Sequence, residues 1–309
     1  MSTATRREPR LLEPGLHRDV PMWEYLALPY MSASKLHVLN RSPKQFLYAQ
    51  DAEREDTEAT ERGTALHMAV LEPSLFDGHY VVAQPCGATL KSGPRKGEPC
   101  GNPGLFLLRN GLGWMCGQHV RGFGSEIDTS REILSADNYE SVMGMRASIL
   151  EHRRSRSLFE GAGEFEATII FDDPETGVRC RIRPDRLVNR AGLLVDIKTT
   201  RTAHPHEFPR LAENLGYFHK MAFYRRGLRA IGWDYRASVV LAVEPTAPYD
   251  LAPALIDEES LDSADQEITR ALRIYKQCEE ADEWPGYAAS EDGFLTLRRP
   301  KYAMNRDTD

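Results

Sequence analysis

Residues 181–200, RIRPDRLVNRAGLLVDIKTT, place Asp185 eleven residues before Asp196 and Lys198 two residues after it, inside runs that otherwise read as buried strands. Carboxylates brought together repel and resist ionisation unless a cation holds them. A hard divalent cation such as Mg²⁺ takes oxygen ligands and keeps positions open for water and phosphate oxygens. Side chains alternate along a strand, so Asp196 and Lys198 share one side, and the lysine falls beside such a cation. There it can orient or help deprotonate a water, or stabilise charge developing on a phosphate. That is phosphodiester hydrolysis in outline. The same spacing also suits a surface hairpin closed by a salt bridge, and a bare D-x(10)-D-x-K has little specificity.

A second group of residues carries different chemistry. Cys86, Cys100, Cys116 and His119 fall within residues 86–119, and the last two have Cys-x-x-His spacing. Thiolates and imidazole suit tetrahedral Zn²⁺, and four protein ligands close its shell, as in structural sites. The segment is rich in Gly and Pro and poor in core-forming residues, so a bound metal would supply folding energy it otherwise lacks. The spacings are not those of a standard finger, and unrelated thiols are the alternative. An iron–sulfur cluster fits less well without a fourth cysteine. Cys180 and Cys278 sit in strand and helix contexts and read as structural.

These residues need a scaffold. The chain has 309 residues, 41% hydrophobic and 28% charged, enough for one large domain or a core with an insertion. No apolar run approaches the ~18 residues of a membrane span, and MSTATRREPRLLEPG lacks the apolar centre of a secretory signal, so a cytoplasmic protein is expected. The net charge of −7 does not advertise a nucleic-acid binder and does not exclude a local basic channel. Residues 1–24 read as extended or poorly ordered. A helix follows from an N-cap at Ser32 or Ser34, interrupted near Ser42-Pro43. TERGTALHMAVLEPSLF reads as a second helix ended by Pro73, and SADNYESVMGMRASILEHRRSRSLF as an amphipathic third. FEATIIF, GVRCRIRPDRLV and LLVDIKTT read as strands, the first pair joined by the turn DDPETG and the second by NRAG. A long helix over 205–230, the strand RASVVLAVEP and the helix DSADQEITRALRIYKQCEEA complete an α/β arrangement with a mixed central sheet.

Taken together, several stretches resemble the PD-(D/E)xK nuclease superfamily, and within it the phage and prophage exonucleases of the exonuclease VIII, or RecE, type. They are the N-terminal EPGLHRDVPMWEYLALPYMSASKLHVLNRSPKQFLY, the block RGTALHMAVLEPSLF, then EFEATIIFDDPETGVRCRIRPDRL, VDIKTT and YFHKMAFYRRGL, in that order. The resemblance covers most of residues 14–85 and 160–245. It implies a restriction-endonuclease-like core, placed over residues 25–84 and 125–309; residues 1–24 read as a separate N-terminal segment and 85–124, from the Cys/His spacing, as a zinc-binding insertion. The resemblance also implies that His67, Asp185, Asp196 and the backbone carbonyl of Ile197 surround Mg²⁺ or Mn²⁺, with Lys198 as the catalytic lysine. Glu166 takes the acidic position of the first strand, or is a surface-strand glutamate. Related nucleases carry Gln-x-x-x-Tyr on the next helix. Here Tyr224 fits, but Lys220 replaces the amide by a cation that can meet a phosphate as a point charge, which puts the glutamine's role in doubt. Tyr217 is a weaker candidate.

The implied activity is metal-dependent exonucleolytic hydrolysis of linear duplex DNA ends, 5′ to 3′, leaving single strands for phage-type recombination. A single-strand annealing protein would be the partner, and a homo-oligomer is compatible with the resemblance. A single-strand or structure-specific nuclease is the alternative, or a DNA- or protein-binding module with a decayed site. Arg181, Arg183, Arg186 and Arg190, then Arg225, Arg226 and Arg229, then Lys91, Arg95 and Lys96, are basic groups available to DNA phosphates or simply solvated; Arg183 and Arg186 flank the first aspartate most closely.

Overall fold

In the computed structural model, which describes residues 8–50, 57–111, 113–288, 294 and 296–299, the chain begins with a short strand, β1 (Gly15–His17), and helices α1 (Met22–Ala27), α2 (Ala33–Arg41) and α3 (Pro43–Ala49). Ser32 Oγ accepts from the Lys35 N–H and Ser42 Oγ from the Gln45 N–H, so each serine caps a helix and Pro43 opens the second. The expected interruption at Ser42-Pro43 is present. The N-terminal segment is more ordered than its sequence suggests: Leu12, Val20, Leu28 and Tyr30 pack on Ile170. Residues 1–7 lie outside the described residues.

Helix α4 (Glu58–Leu71) carries His67 and stops before Pro73, where α5 (Pro73–His79) starts. Strand β2 (Tyr80–Val82), the hairpin of β3 (Phe106–Leu108) and β4 (Gly113–Met115), and strand β5 (Glu132–Leu134) precede α6 (Ala136–Glu151) and α7 (Arg153–Phe159). Strands β2 and β5 pair in parallel and bracket the cysteine segment.

The central strands are β6 (Gly163–Phe165), β7 (Thr168–Asp172), β8 (Arg179–Ile182), β9 (Arg186–Val188) and β10 (Leu193–Thr199). Two expected strands are each broken in two: FEATIIF at Glu166-Ala167, and GVRCRIRPDRLV at Arg183-Pro184-Asp185. Pro184 cannot donate to a ladder, and Glu166 adopts φ of +44°, unusual for a residue with a Cβ. The breaks lie side by side, since the Glu166 N–H donates to the Asp185 carbonyl at 3.2 Å. On one side β1, β7 and β8 form a three-stranded sheet. On the other, β6, β9 and β10 join β11 (Ala237–Val243) and β12 (Leu251–Ile256) in the order β12-β11-β10-β9-β6. Only the β10–β11 pair of that sheet is parallel, so the sheet is mixed, as expected.

Helices cover both faces. The segment expected as one helix over 205–230 is two, α8 (Phe208–Asn214) and α9 (Tyr217–Ala230), divided at Gly216. Gly216 has φ of +71°, and a Cβ there would meet the His37 ring at 2.8 Å, so only glycine turns the chain at this place. Along β10 the alternation is strict. Val195 and Ile197 join the core under α4 and α6, while Leu194 joins the core containing α2, α9 and the last helix, α10 (Glu258–Ala281). Asp196 and Lys198 therefore face α9. Among the described residues no helix is long and apolar enough to cross a membrane.

Helix α9 lies close against the three-stranded sheet because Gly227 has no side chain. A Cβ there would sit 2.7 Å from both Ile182 Cδ1 and the Phe171 ring. Gly227→Val should cost about 1–3 kcal/mol by overpacking. The expected reading is a lower urea midpoint with an unchanged denaturant slope; an unaltered midpoint would mean that α9 does not pack this closely.

Candidate active site

The site forms where β9 is too short for β10. Strand β9 starts at Arg186, opposite Val195, so the Ile197 N–H and carbonyl, two residues farther on, point to the same side and find no strand. Asp185, just before β9, takes the vacant donor: its Oδ2 accepts from the Ile197 N–H at 2.6 Å. From the next layer, His67 Nε2 approaches the Ile197 carbonyl at 3.1 Å and Asp185 Oδ2 at 3.7 Å. Ligands ~2.1 Å from an octahedral ion lie ~3 Å apart when adjacent, so this nitrogen and two oxygens have a spread compatible with a shared divalent cation.

Asp196 is held differently. Lys220 Nζ on α9 lies 2.7 Å from Asp196 Oδ1, and Lys198 Nζ lies against Oδ2. The carboxylate is 1% exposed, and Oδ2 has no well-directed hydrogen bond, so it keeps acceptor capacity for a cation. Burial alone would raise the Asp196 pKa; the two ammoniums outweigh it and hold it below the usual carboxylate range. Burial, reinforced by Lys220, pushes Lys198 down although Asp196 pulls it up. For Lys220, burial is overcome by Asp196, and its pKa is raised. One carboxylate thus serves two ammoniums unequally, and Lys198 is the one that gives up its proton more readily.

Aromatic rings wall the lysines. Tyr217 lies 5.4 Å from Lys198 Nζ and Tyr224 5.1 Å from Lys220 Nζ, measured to ring centroids. Tyr224 is buried, and that burial raises its phenol pKa. Lys220 therefore belongs to the cluster itself, and its ammonium is spent on Asp196 rather than offered outward.

Glu166 stands at the neighbouring break, 3.4 Å from the Arg183 guanidinium. Arg183 also donates to the Val20 carbonyl at 2.8 Å and the Thr168 hydroxyl at 3.3 Å, so it ties the N-terminal segment to the break. Arg186 has to be corrected as a DNA contact. It is fully buried, donates to the carbonyls of Leu158 and Gly161, and lies 4.1 Å over the Phe165 ring. Arg225 and Arg226 are likewise buried and engaged by acidic partners, Arg226 with Asp173 at 2.7 Å and Asp265 at 2.8 Å. Sequence reasoning missed Glu72. Its pKa is raised by burial and by the charge of Glu166, against Arg183, so it shares their electrostatic surroundings. The signal available was its position in the Leu-Glu-Pro block, five residues after His67.

The cysteines converge elsewhere. Cys86, Cys100, Cys116 and His119 present ligand atoms all within 4.8 Å of one another. It is the one compact group of three or more His, Cys, Asp and Glu donors among the described residues.

The profile of a family described as a PDDEXK-like domain of unknown function, DUF3799, matches residues 32–293. No curated protein matches the sequence. Among solved structures, a candidate exonuclease from Eubacterium rectale aligns with a TM-score of 0.50 at 11% identity, over 90% of this chain and 94% of that one. A phage-related exonuclease from Haemophilus somnus aligns with a TM-score of 0.33 at 15% identity, over 82% and 96%. The first likeness speaks to the fold; the second is too distant to carry an argument.

The buried triad has a measurable signature. A carboxyl whose pKa is depressed on folding stabilises the protein above its unfolded value, about 4, and that stability is lost as pH falls towards the folded value. Asp196→Asn leaves two ammoniums without their carboxylate and should cost about 3–5 kcal/mol at pH 7. The gap from wild type should narrow between pH 4 and pH 2. Urea unfolding at pH 7 and pH 3 reads both, and an equal gap at the two pH values would contradict the assignment.

Proposed function

The chain belongs to the PDDEXK-like DUF3799 family, and on that premise we propose that it is a divalent-metal-dependent deoxyribonuclease that degrades linear duplex DNA from its ends. The observation that supports this best is the convergence of His67 Nε2, Asp185 Oδ2 and the Ile197 carbonyl beside an Asp196–Lys198 pair. These donors, with Asp196, would hold Mg²⁺ or Mn²⁺. The ion would supply charge neutralisation at the phosphate and acidify water at neutral pH. A mixed set of carboxylate, carbonyl and imidazole donors suits such ions better than soft ones.

The protein's own groups do the rest. Asp185 fixes the strand end through Ile197 N–H, so the Ile197 carbonyl points into the site. Lys198 Nζ orients the attacking water and takes its proton. Lys220 keeps Asp196 ionised and, by repulsion, keeps Lys198 ready to accept. Tyr217 and Tyr224 shield the lysines from bulk water. Glu166 and Glu72, with Arg183, form the acidic border of the site at the break in the sheet. In the wider reading the product is a 3′ single strand made by 5′ to 3′ resection, handed to a single-strand annealing protein, with the nuclease acting as a homo-oligomer in phage-type recombination inside the host cytoplasm.

End-labelled linear duplex should be degraded with Mg²⁺ and spared with EDTA, and closed circular duplex should be spared in both. Asp185→Asn and Lys198→Met should each lower the rate by about 10²–10³ or more. Lys220→Met removes the charge that repels the Lys198 proton, so the acid limb of the kcat/KM–pH profile should move to higher pH. Rapid linearisation of closed circles would replace the exonuclease reading by an endonuclease. Wild-type rates in Lys198→Met would remove the lysine from the chemistry.

A further inference from the structure

The cysteine segment lies outside everything the nuclease reading uses. Cys86, Cys100 and Cys116 are buried and unbridged, and they are themselves the centre of a small core with Ala88, Leu90 and Met115 packed around it. Three thiols in place of aliphatic side chains make a weak core. The segment is nevertheless built around them. Pro85 bridges to Pro103 and Thr89 to Pro99, the Cys86 N–H donates to the Asn102 carbonyl and the Cys100 N–H to the Ala88 carbonyl, and a tight turn returns the N–H groups of His119 and Val120 to the Cys116 carbonyl. That turn aims His119 Nδ1 at the sulfurs.

The separations identify what would fit between them. Zn–S bonds of ~2.3 Å and Zn–N bonds of ~2.0–2.1 Å in a tetrahedron place sulfurs ~3.8 Å apart and a sulfur ~3.6 Å from the nitrogen. Cys100 Sγ and Cys116 Sγ are 3.9 Å apart, Cys86 Sγ is 3.5 Å from His119 Nδ1, and Cys116 Sγ is 3.4 Å from it. A disulfide would need ~2.05 Å. Four ligands leave no open coordination position, so the site is structural in type, and soft thiolates separate it from the oxygen-rich site around Asp185.

The segment so organised also has its own charge. Residues 85–124 carry Lys91, Arg95, Lys96, Arg109 and Arg121 against the single acid Glu98, in a chain of net charge −7. All five cations are exposed, and Glu98 is held by Arg95 at 2.7 Å. We propose that Cys86, Cys100, Cys116 and His119 bind one structural Zn²⁺ that folds residues 85–124 into a cationic module contacting the nucleic-acid backbone. The zinc part stands on the ligand geometry alone; the choice of nucleic acid as the module's target rests on the nuclease reading.

The full chain, purified without chelator and dialysed after Zn²⁺ loading, should hold about one zinc per chain by elemental analysis. Co²⁺ in its place should give thiolate charge-transfer and tetrahedral d–d absorption. Cys100→Ser and Cys116→Ser should each lose the metal and expose residues 85–124 to proteolysis, while the far-ultraviolet dichroism of the remainder persists. Zinc-free protein after loading, unchanged zinc in both variants, or iron with inorganic sulfide would overturn the site. Lys91→Glu/Lys96→Glu/Arg121→Glu should keep its zinc and bind duplex in Mg²⁺-free buffer at least tenfold more weakly, with a shallower salt dependence. Wild-type affinity in that variant would overturn the nucleic-acid assignment. Because metal content and binding are read without cleavage, a failed nuclease reading remains distinguishable from a failed zinc site.

Discussion

The hydrogen bond from the Ile197 N–H to Asp185 Oδ2 joins the scaffold to the chemistry. Buried backbone donors are almost always paired, and this one loses its strand partner because β9 begins too late to reach it. Asp185 meets the backbone's need for an acceptor and is thereby fixed in place. The same shortening frees the Ile197 carbonyl, which His67 meets from α4. Removing Asp185 is therefore not a purely chemical change, since it also leaves a buried N–H without its acceptor.

Around that bond the charges are arranged in an uneven balance. Asp196 alone would be unstable as a buried anion, and two lysines together would be unstable as buried cations. Grouped, they neutralise most of their own field, and their protonation states depend on one another. Lys220, standing where the sequence resemblance leads one to expect a glutamine, changes this balance. An amide would donate a hydrogen bond to Asp196 without repelling Lys198. The ammonium does both, so the departure acts on the neighbouring lysine's proton as well as on Asp196.

Much of this was legible in the sequence, for specific reasons. The strand alternation of VDIKTT puts Asp196 and Lys198 on one face, and Ser42-Pro43 and Pro73 mark real helix boundaries. The α/β class with a mixed sheet likewise follows from the order of the periodic segments. The split of the sheet was not legible, because FEATIIF reads as one continuous strand and nothing local announces the turned backbone of Glu166. The fate of the arginines was hidden for a related reason. Composition identifies Arg186 as a cation, but only the fold shows that the Leu158 and Gly161 carbonyls occupy it. The division of 205–230 falls at Gly216, whose left-handed backbone and close approach to His37, a residue distant in sequence, only the fold shows.

The parallel pairing of β2 with β5 bears on how this chain tolerates changes in length. Parallel neighbours cannot be joined by a tight hairpin, because the chain must travel back along the strand before it can pair again. Some excursion between Val82 and Glu132 is thus obligatory whatever fills it. The entropic penalty of enlarging such an excursion grows only logarithmically, by about 0.6 kcal/mol for each doubling of its length. A self-folding unit there adds little strain to the rest of the domain. This crossover is accordingly a place where the fold can gain, lose or exchange an appendage while the strands on either side keep their register.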